Sequence, residues 1–281
     1  MDKKTIGSLT AKGGFANERN ICEKFLNWKS DKDSQDWLKQ MGYKIENIRH
    51  LKAEVIPTSI SIKQASYFGI SKEKFHDSIK YKKADLQINV VIEIDSVIYT
   101  ENISLKKANI NSDYNQVDKR RVKTYQELWG FDDNISKWLK LFTGEYLPKD
   151  YKNQINYEKL KKSNRIFFNE IPDIELKKII EFFTKNKILI ICDILKGRGG
   201  FSSEWILVTE THPETACNCH PKWILRDINY AINHYSQGDV ILSPRGSLNI
   251  GKITMQRKGG TPDPNSLQFK FHPLELFDNS L

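Results

Sequence analysis

Cysteine and long apolar runs are both scarce in this chain, and their scarcity excludes two classes of protein. Four cysteines in 281 residues are too few and too scattered for a disulfide framework, so we expect reduced thiols. The longest apolar run, ILIIC at 188–192, is far shorter than the ~20 residues of a transmembrane helix. The opening residues MDKKTIGSLTAKGG lack the apolar core of a signal peptide. We therefore expect a cytoplasmic protein.

The sequence also lacks several signatures of cofactor and metal enzymes. It has no glycine-rich loop after a strand and no Asp-Pro-Pro-Tyr or Pro-Cys motif, which argues against a nucleic-acid methyltransferase. Cys217, Cys219 and His220, with His212 nearby, are residue types that bind zinc, but no second ligand pair lies at the usual distance. A zinc site here stays an open alternative outside our main interpretation.

Basic residues are abundant. Lys and Arg total 44 against 35 acids, giving a net charge of +9 and a pI near 9.1. Such a surface favours a polyanionic partner through phosphate neutralisation, although a soluble protein can simply be basic. Hydrophobic residues make up 39% of the chain, enough for a core of one large α/β domain or two lobes.

The hydrophobic periodicity predicts a mixed central β-sheet flanked by helices. Two helices open the chain after a turn at 11–14, and the second ends at Gly42. Residues 57–82 form a polar, basic insert with a short helix begun by Ser71. We expect a first lobe at 1–150 and a second at 151–281.

Further elements follow from the same patterns. We predict a helix over NQVDKRRVKTYQELWGF ended by Gly130, and a helix over DIELKKIIEFFTKNK. ILIICDIL and EWILVTE are expected to be buried strands, and KWILRDINYAINHYSQG a helix. The residues from Val240 to Gly260 are expected to form a strand, a turn and a strand, followed by a tail.

Two predicted strands carry the residues that suggest chemistry. DLQINVVIEI alternates with a period of two, and a turn at Asp95-Ser96 leads into VIYTENISLKKA. Asp85 on one strand then faces Ser104 and Lys106 on the next, and residues two apart share a face. Phosphodiester hydrolysis needs a carboxylate to hold a divalent cation and a second cation near the attacking water. Asp85 and Lys106 suit these roles, although such spacing also occurs in ordinary surface hairpins.

Long stretches of the chain resemble the HinP type of type II restriction endonuclease, an MspI-related group within the PD-(D/E)xK nuclease superfamily. The resemblance runs through GSLTAKGGFANE, NWKSDKDSQDWLKQMGY, the strands from Asp85 to Lys106, YNQVDKRRVKTYQELWGFDDN, FTGE, DILKGRGGFSSEWILV, KWILRDIN, SPRGSLNIGKITMQRKGG, LQFKF and LELFD. Residues 57–82, about 146–180 and 211–221 fall outside it. It implies a PD-(D/E)xK nuclease core with a second, recognition lobe.

The resemblance implies cleavage of double-stranded DNA at GCGC with Mg²⁺, by a monomer that nicks one strand at a time. A cognate methyltransferase would act on the same site without direct contact. Asp85 would be the metal ligand, Ser104 would stand at the second ligand position, and Lys106 would be the catalytic lysine. Two departures from the family pattern are Ala84, where Pro or Ser is usual, and Ser104, where close relatives carry an amide. Glu18 is a candidate for an extra acid, with a plain helix-surface charge as the equal alternative.

DNA recognition is predicted for the strand-turn-strand segment near the end of the chain. G·C pairs are read by Arg or Lys on guanine and by acidic or small polar groups on cytosine. The candidate DNA-binding residues are Asn115, Gln116, Arg245, Ser247, Asn249, Lys252, Gln256, Arg257 and Lys258. Of these, Arg245, Ser247, Asn249 and Gln256 are expected to contact bases. Asn115 and Gln116 are expected in a loop after the second strand, with capping of the next helix as the alternative.

Two broader alternatives stay open from the sequence alone. Lys196, Arg198, Arg120 and Arg121 are phosphate-contact candidates, although exposed basic residues are more often solvated charges. The altered Ala84 and Ser104 also allow a DNA-binding protein whose nuclease site has decayed. Retention of both Asp85 and Lys106 argues against that alternative.

Overall fold

The computed structural model of the protein describes residues 3–92, 97–109, 114–211, 222–258 and 265–278. The helices are α1 (Lys3–Leu26), α2 (Lys32–Gln40), α3 (Ile62–Tyr67), α4 (Phe75–Lys80), α5 (Val122–Trp129), α6 (Asp133–Thr143), α7 (Asp173–Lys185), α8 (Lys187–Leu195) and α9 (Ile228–Tyr235). The strands are β1 (Ile48–Val55), β2 (Leu86–Ile92), β3 (Ile98–Asn109), β4 (Asn115–Arg121), β5 (Trp205–Thr211), β6 (Trp223–Asp227), β7 (Val240–Leu242), β8 (Leu248–Ile250), β9 (Ile253–Arg257) and β10 (Ser266–Phe271). None of these helices is both long and apolar enough to span a membrane.

The chain divides into two compact units, each assembled from separate segments. The first contains Met1–Asp113, Leu195–Ala231 and Pro273–Leu281, and the second contains Tyr114–Ile194 and Ile232–His272. The sequence predicted one boundary at residue 150, and the structure divides the chain differently. The reason is long-range pairing: β5 and β6 join the sheet of the first unit, whereas β4 joins the sheet of the second.

The first unit is built on a mixed five-stranded sheet in the order β1-β2-β3-β5-β6. Its neighbours are antiparallel except β3 and β5, which run parallel. Leu86, Ile88 and Val90 of β2 are fully buried, so the predicted alternation is confirmed. The predicted pairing of β2 with β3 is also confirmed, while the turn expected at Asp95-Ser96 lies outside the described residues.

Helices α1 and α2 cover one face of this sheet. Ile21, Cys22 and Phe25 of α1 pack in the same core as Trp37 and Leu38 of α2. Helix α2 begins at Asp31, whose carboxylate accepts a hydrogen bond from the Ser34 amide, and Gly42 follows its end with φ 93°. The expected opening helix pair and the glycine terminator are therefore present.

The turn expected at 11–14 is wrong, because these residues lie inside α1. Gly13 and Gly14 lower helix propensity by roughly 1 kcal/mol each, which is why the local sequence suggested a break. Packing of the later part of α1 against the sheet outweighs that local cost, as tertiary contacts commonly do.

Residues 57–82 form a small second core rather than a loose excursion. Ala65, Phe68 and Ile70 pack with Phe201 and with Ala84, the residue before Asp85. Helix α3 begins with a capping box between Ser61 and Gln64, which the sequence analysis missed. The helix expected from Ser71 starts later, with Lys74 at its N-cap. This segment therefore supports the chain directly before Asp85.

The second unit is built on an antiparallel sheet in the order β4-β10-β9-β8-β7. Leu248, Met255 and Phe269 lie on its buried face, where Tyr125 and Trp129 of α5 pack edge-on against Phe269. Helix α5 ends at Gly130, as predicted, with φ 70°.

Several elements of the second half differ from the predictions. ILIICDIL forms α8 instead of a strand, with Ile190, Ile191 and Ile194 buried and Ile188 exposed at helical spacing. An apolar run of this length fits either structure, so the sequence could not decide. Helix α7 is confirmed over Asp173–Lys185. Helix α6, capped by Asp132, was not anticipated.

The remaining corrections concern segments that form strands in the structure. Residues 115–121 form β4, so the predicted helix begins only at Val122. WILRD forms β6 (Trp223–Asp227), and α9 starts after it. The expected strand-turn-strand is three strands, β7 to β9, and the expected tail contains β10. β4 gains its strand hydrogen bonds from β10, a partner far away in sequence that local periodicity cannot show, whereas β6 pairs with β5 and β7 to β9 pair in chain order.

Candidate active site

Asp85 lies directly before β2, and its backbone is fixed on both sides. Its amide donates to the Ile103 carbonyl of β3 at 2.9 Å, and its carbonyl accepts from the Ile56 amide at 2.9 Å. Ala84 before it is fully buried and donates its amide to Phe201. The side chain of Asp85 is therefore held in a defined position between the ends of two strands.

The Asp85 carboxylate gathers three donors on one oxygen. Oδ2 accepts the Leu105 amide at 2.7 Å, the Ser104 hydroxyl at 3.3 Å and the Lys106 ammonium at 3.4 Å. Every hydrogen bond to this carboxylate within the described residues goes to Oδ2. The carboxylate side chain is 28% exposed, so Oδ1 is left for a ligand.

Lys106 completes the cluster. Its Nζ donates to Ser104 Oγ at 2.8 Å and to the Leu105 carbonyl at 3.0 Å, and its side chain is 16% exposed. Asn102, Ser104 and Lys106 share one face of β3, while Ile103 and Leu105 pack in the core on the other. The strand geometry predicted from the sequence brings Asp85, Ser104 and Lys106 together as expected.

Glu18 of α1 lies within electrostatic range of this cluster. Partial burial raises the pKa of its carboxyl, the charge of Asp85 raises it further, and the charges of Lys106 and Lys82 oppose the rise. Next to it, the Asn17 side chain accepts a hydrogen bond from Thr209 of β5 at 3.1 Å, which anchors α1 to the sheet. Glu18 is therefore close enough to Asp85 and Lys106 to interact with their charges, and its role as an extra acid stays a prediction.

Lys82 is a cation near the site that the sequence analysis missed. Its Nζ donates to the carbonyls of Pro57 at 2.7 Å and Ile56 at 3.3 Å. Burial lowers its pKa, while the charges of Asp85 and Glu18 act in the opposite direction. Lys82 is the last residue of the predicted insert at 57–82, so the sequence analysis gave it no role in the site. Its position three residues before Asp85 is the signal that could have identified it.

The oxygen atoms of this cluster suit a hard divalent cation. They are the carboxylates of Asp85 and Glu18, the Ser104 hydroxyl and the Leu105 carbonyl. Mg²⁺ prefers oxygen ligands and is often held by one or two carboxylates plus water and phosphate oxygens. No group of three or more His, Cys, Asp or Glu suited to a metal ion occurs in the described part of the chain. The zinc candidates at 212–220 lie outside the described residues.

The predicted recognition residues all belong to the second unit. Cross-strand pairs place Asn249, Thr254, Lys270 and Gln116 in one row on one face of its sheet. Gln256 lies on the same face opposite Gln268. We call this surface the polar face. Asn115 and Gln116 are therefore strand residues, which corrects the loop predicted for them.

Hydrogen bonds link the amides of the polar face to neighbours. Gln116 Oε1 accepts from Gln268 Nε2 at 2.8 Å, and Asn249 Oδ1 accepts from Thr254 Oγ1 at 2.9 Å. Gln256 Nε2 donates to the Tyr114 hydroxyl at 2.7 Å. The sequence analysis missed Tyr114, Gln268 and Thr254, because a polar residue in a strand carries no sign of which distant side chain it meets.

The remaining predicted residues are spread around this sheet. The turn at 243–247 is closed by a hydrogen bond from the Ser243 amide to the Ser247 carbonyl. Arg245, within this turn, is exposed. Lys252 lies 3.1 Å from the His234 ring. Arg257 is paired with Leu267, on the face opposite to Gln256. Burial lowers the pKa of both Arg257 and Lys258, and the charge of Lys119 lowers that of Lys258 further.

The four phosphate-contact candidates differ in their surroundings. Arg120 forms an ion pair with Asp118 at 3.3 Å, and the Arg198 guanidinium lies over the Tyr81 ring at 5.2 Å. Arg121 is exposed on β4. Burial raises the pKa of the Glu204 carboxyl, and the charge of the nearby Lys196 acts in the opposite direction.

Comparisons with known proteins identify a family and a similar fold. The family model described as "R.HinP1I restriction endonuclease" matches residues 74–277. The solved structure of the restriction endonuclease MspI with its cognate DNA superimposes with a TM-score of 0.56 at 12% identity, covering 96% of this chain and 93% of that one. At this identity the likeness shows the fold alone. No curated protein matches the chain.

Proposed function

Because the chain belongs to the R.HinP1I restriction endonuclease family, we propose that this site-specific deoxyribonuclease cleaves double-stranded DNA at GCGC by Mg²⁺-dependent phosphodiester hydrolysis. The observation that carries the proposal is the convergence of Leu105, Ser104 and Lys106 on one oxygen of Asp85, inside the matched region. A carboxylate held beside a lysine is what metal-assisted hydrolysis of a phosphodiester requires.

Asp85 and Glu18 would hold the Mg²⁺ ion, with the Ser104 hydroxyl and the Leu105 carbonyl as neutral oxygen ligands. Bound Mg²⁺ supplies Lewis-acid stabilisation of the charge that develops on the scissile phosphate. A hydroxyl is a weaker ligand than a carboxylate, so we propose one strongly held ion. The hydrogen bond from the Leu105 backbone amide keeps the Asp85 carboxylate oriented before the substrate arrives.

Lys106 acts at the attacking water. Its ammonium group has three N–H donors, and it donates to Asp85 Oδ2, to Ser104 Oγ and to the Leu105 carbonyl. An approaching water or phosphate oxygen can replace the longest of these, the 3.4 Å bond to Asp85. The ammonium then favours the hydroxide form of the water. The water oxygen bonds to phosphorus and loses a proton to solvent. The bond from phosphorus to the leaving sugar oxygen breaks, and that oxygen takes up a proton from solvent.

Sequence recognition is proposed for the second unit. Its polar face combines amides, a hydroxyl and Lys270, and the turn at 243–247 adds the exposed Arg245. Guanine presents two acceptors in the major groove and cytosine one donor, so donors and acceptors of this kind can read G·C pairs. This inventory supports the GCGC assignment that the family resemblance implies.

We further propose that one chain carries one active site and nicks the two strands in succession as a monomer. The Asp85 cluster is complete within the first unit, so no second copy is needed to supply its residues. A cognate methyltransferase would protect the same GCGC sites without contacting this protein.

The proposal is tested by digesting a supercoiled plasmid that contains a single GCGC site, in Mg²⁺ or in EDTA. We expect nicked circles first and linear product later, no cleavage in EDTA, and loss of both steps in Lys106→Met. A plasmid with that site changed to GCTC is the matched control and should stay intact. Tight GCGC binding without cleavage in any divalent metal would instead indicate a DNA-binding protein with a decayed nuclease site.

A further inference from the structure

Arg165 is a half-buried arginine of the second unit whose guanidinium has no polar partner in the described part of the chain. Within those residues it makes no hydrogen bond and no ion pair, and its Nε is buried. A guanidinium carries N–H donors and no acceptor, and a buried donor without an acceptor is costly. Arg165 was not among the candidates from the sequence, and its donors suit an acceptor that is not part of the chain.

Aromatic rings hold the Arg165 side chain in place. The centre of its guanidinium lies 4.2 Å from the centroid of the Phe167 ring and 5.8 Å from that of the Phe142 ring. A cation–π contact stabilises the charge without using its N–H donors. The Phe167 ring is itself fixed at its backbone, because its amide donates to a Glu170 carboxylate oxygen at 2.7 Å. The guanidinium is therefore positioned before any ligand binds.

Lys161 and Arg257 bring two more positive charges to this place. The Lys161 ammonium lies 5.5 Å from the centroid of the same Phe167 ring. A Cβ added to Gly144, the residue that ends α6, would lie 3.6 Å from Arg257 Nη2 and 3.6 Å from Arg165 Cβ. The two arginine side chains thus meet beside Gly144. We call Lys161, Arg165 and Arg257 the basic cluster.

Carboxylates occur close to the basic cluster, but none is bonded to Arg165. The two Glu170 oxygens accept the backbone amides of Lys161 and Phe167, each at 2.7 Å. Glu145 follows Gly144 in the chain, and its buried Oε2 has no partner within the described residues. Burial lowers the pKa of Arg165, the charge of Arg257 lowers it further, and the charge of Glu170 acts in the opposite direction.

A phosphate group is the ligand that suits this arrangement best. The planar N–H fork of an arginine matches phosphate oxygens, and a lysine adds a point charge. Contacts with DNA phosphates position a protein on the duplex and carry no sequence information directly. Such a role fits Arg257, which lies on the face of the sheet opposite to Gln256, a predicted base-contact residue.

We propose that Arg165, with Arg257 and Lys161, binds one phosphate of the DNA backbone and thereby fixes the position of the second unit on the duplex. The inference rests on the proposed function, because the ligand is the DNA that the enzyme cleaves. Arg165 donates its N–H groups to the phosphate oxygens, and the other two cations balance the phosphate charge. Phe167 is a positioning residue that holds the Arg165 guanidinium.

The test removes the charge from the protein and from the DNA in turn. Duplexes with one GCGC site each carry a single neutral methylphosphonate in place of one backbone phosphate, at successive positions along both strands. Binding is measured in EDTA, so that it is read without cleavage, for the wild type, Arg165→Met and Arg49→Met. Methionine can still pack on the Phe167 ring. Arg49, which is exposed on β1 of the first unit, is the matched control because its change removes the same charge.

We expect Arg165→Met to weaken binding roughly 10-fold, by the same factor on GCGC and on sites with one base changed. Its slope of log affinity against log salt should be smaller by about 0.9, as for the loss of one phosphate contact. One methylphosphonate should weaken the wild type roughly 10-fold and leave Arg165→Met unaffected, because that contact is already lost. Arg49→Met should keep the wild-type scan. If every methylphosphonate weakens Arg165→Met as much as the wild type, Arg165 contacts no phosphate and the inference is overturned.

Urea denaturation in phosphate-free buffer distinguishes this role from a structural one. An arginine without a bonded partner adds no polar contact to the fold, so Arg165→Met should be at least as stable as the wild type. If Arg165 instead neutralised a carboxylate such as Glu145, its removal would leave a buried charge unpaired and lower the stability markedly. That result would overturn the inference.

The wild-type data separate this inference from the proposed function. If the wild type does not prefer GCGC, the GCGC assignment fails, and the scan is repeated on the sequence that it binds most tightly. Loss of affinity at one phosphate, abolished by Arg165→Met, would support the phosphate site there as well. If the wild type binds no DNA, both the proposed function and the phosphate site are overturned.

Discussion

The contact between Asp85 and the Leu105 amide makes a sharp prediction, because it separates the role of this carboxylate in folding from its role in cleavage. Asp85→Asn keeps a carbonyl oxygen at the Oδ2 position, where it can still accept from Leu105 at 2.7 Å, but it removes the charge. Asp85→Ala removes the charge and the acceptor together. The two variants therefore differ in the acceptor that Leu105, Ser104 and Lys106 share, and the Leu105 amide is the closest of these three donors.

The magnitudes follow from these contacts. Asp85→Ala leaves the Leu105 amide without its acceptor, which costs about 1–3 kcal/mol of folding free energy for a partly buried donor. Asp85→Asn keeps this acceptor and loses the ion pair with Lys106, so it should be more stable than Asp85→Ala by about 1–3 kcal/mol. Loss of the charged ligand removes several kcal/mol of stabilisation of the transition state, so both variants should cleave at least about 10³-fold more slowly.

Two assays read these effects independently. Urea denaturation in EDTA gives the free energy of unfolding of each protein, and single-turnover digestion in Mg²⁺ gives the cleavage rate. Equal stabilities of the Asn and Ala variants would refute the proposed support of Leu105 by Asp85. Cleavage by Asp85→Asn at close to the wild-type rate would refute its role as a metal ligand.

Two further predictions concern neighbouring parts of the first unit. Gly197→Ala would place a Cβ 2.1 Å from the Tyr81 carbonyl oxygen, at a backbone φ of 74°. Gly42→Ala is the matched control, because its φ is also positive at 93° but no atom lies within 4 Å of the added Cβ. Urea denaturation should show Gly197→Ala to be less stable than Gly42→Ala by at least about 2 kcal/mol, and equal losses would refute the close approach. The pKa of Glu18 is raised by burial and by Asp85, so its contribution to stability is fully present below its ordinary pKa and is lost as pH rises through the raised value. Glu18→Gln should therefore lessen the fall in metal-free stability between about pH 4 and pH 8, measured by urea denaturation at each pH; an unchanged slope would contradict the burial of this charge.

The active-site strands could be predicted from the sequence because their information is local. The alternation around Leu86 places Asp85 at the start of a strand, and the spacing of two between Ser104 and Lys106 puts both on one face. These are properties of an extended backbone and hold wherever the strand is placed. The register that sets Asp85 beside Leu105 could not be predicted in the same way, because it depends on how β2 pairs with β3.

The second sheet was poorly predicted because its pairing depends on residues that are far apart in the sequence. Residues 115–121 are as polar as many helix surfaces, and only pairing with β10, about 150 positions later, makes them a strand. The same long-range pairing creates the hydrogen bond between Gln116 and Gln268 and the one between Gln256 and Tyr114. These side-chain contacts were therefore invisible in the sequence, although Gln116 and Gln256 were already candidates for DNA contact.

The central claim is tested most directly by incubating the protein with sheared genomic DNA in Mg²⁺ and sequencing the new ends. We predict that the ends accumulate at GCGC, that EDTA abolishes them, and that Asp85→Asn produces none above background. Ends that accumulate at a different sequence would contradict the GCGC assignment, and ends spread evenly over the DNA would contradict site-specific cleavage altogether.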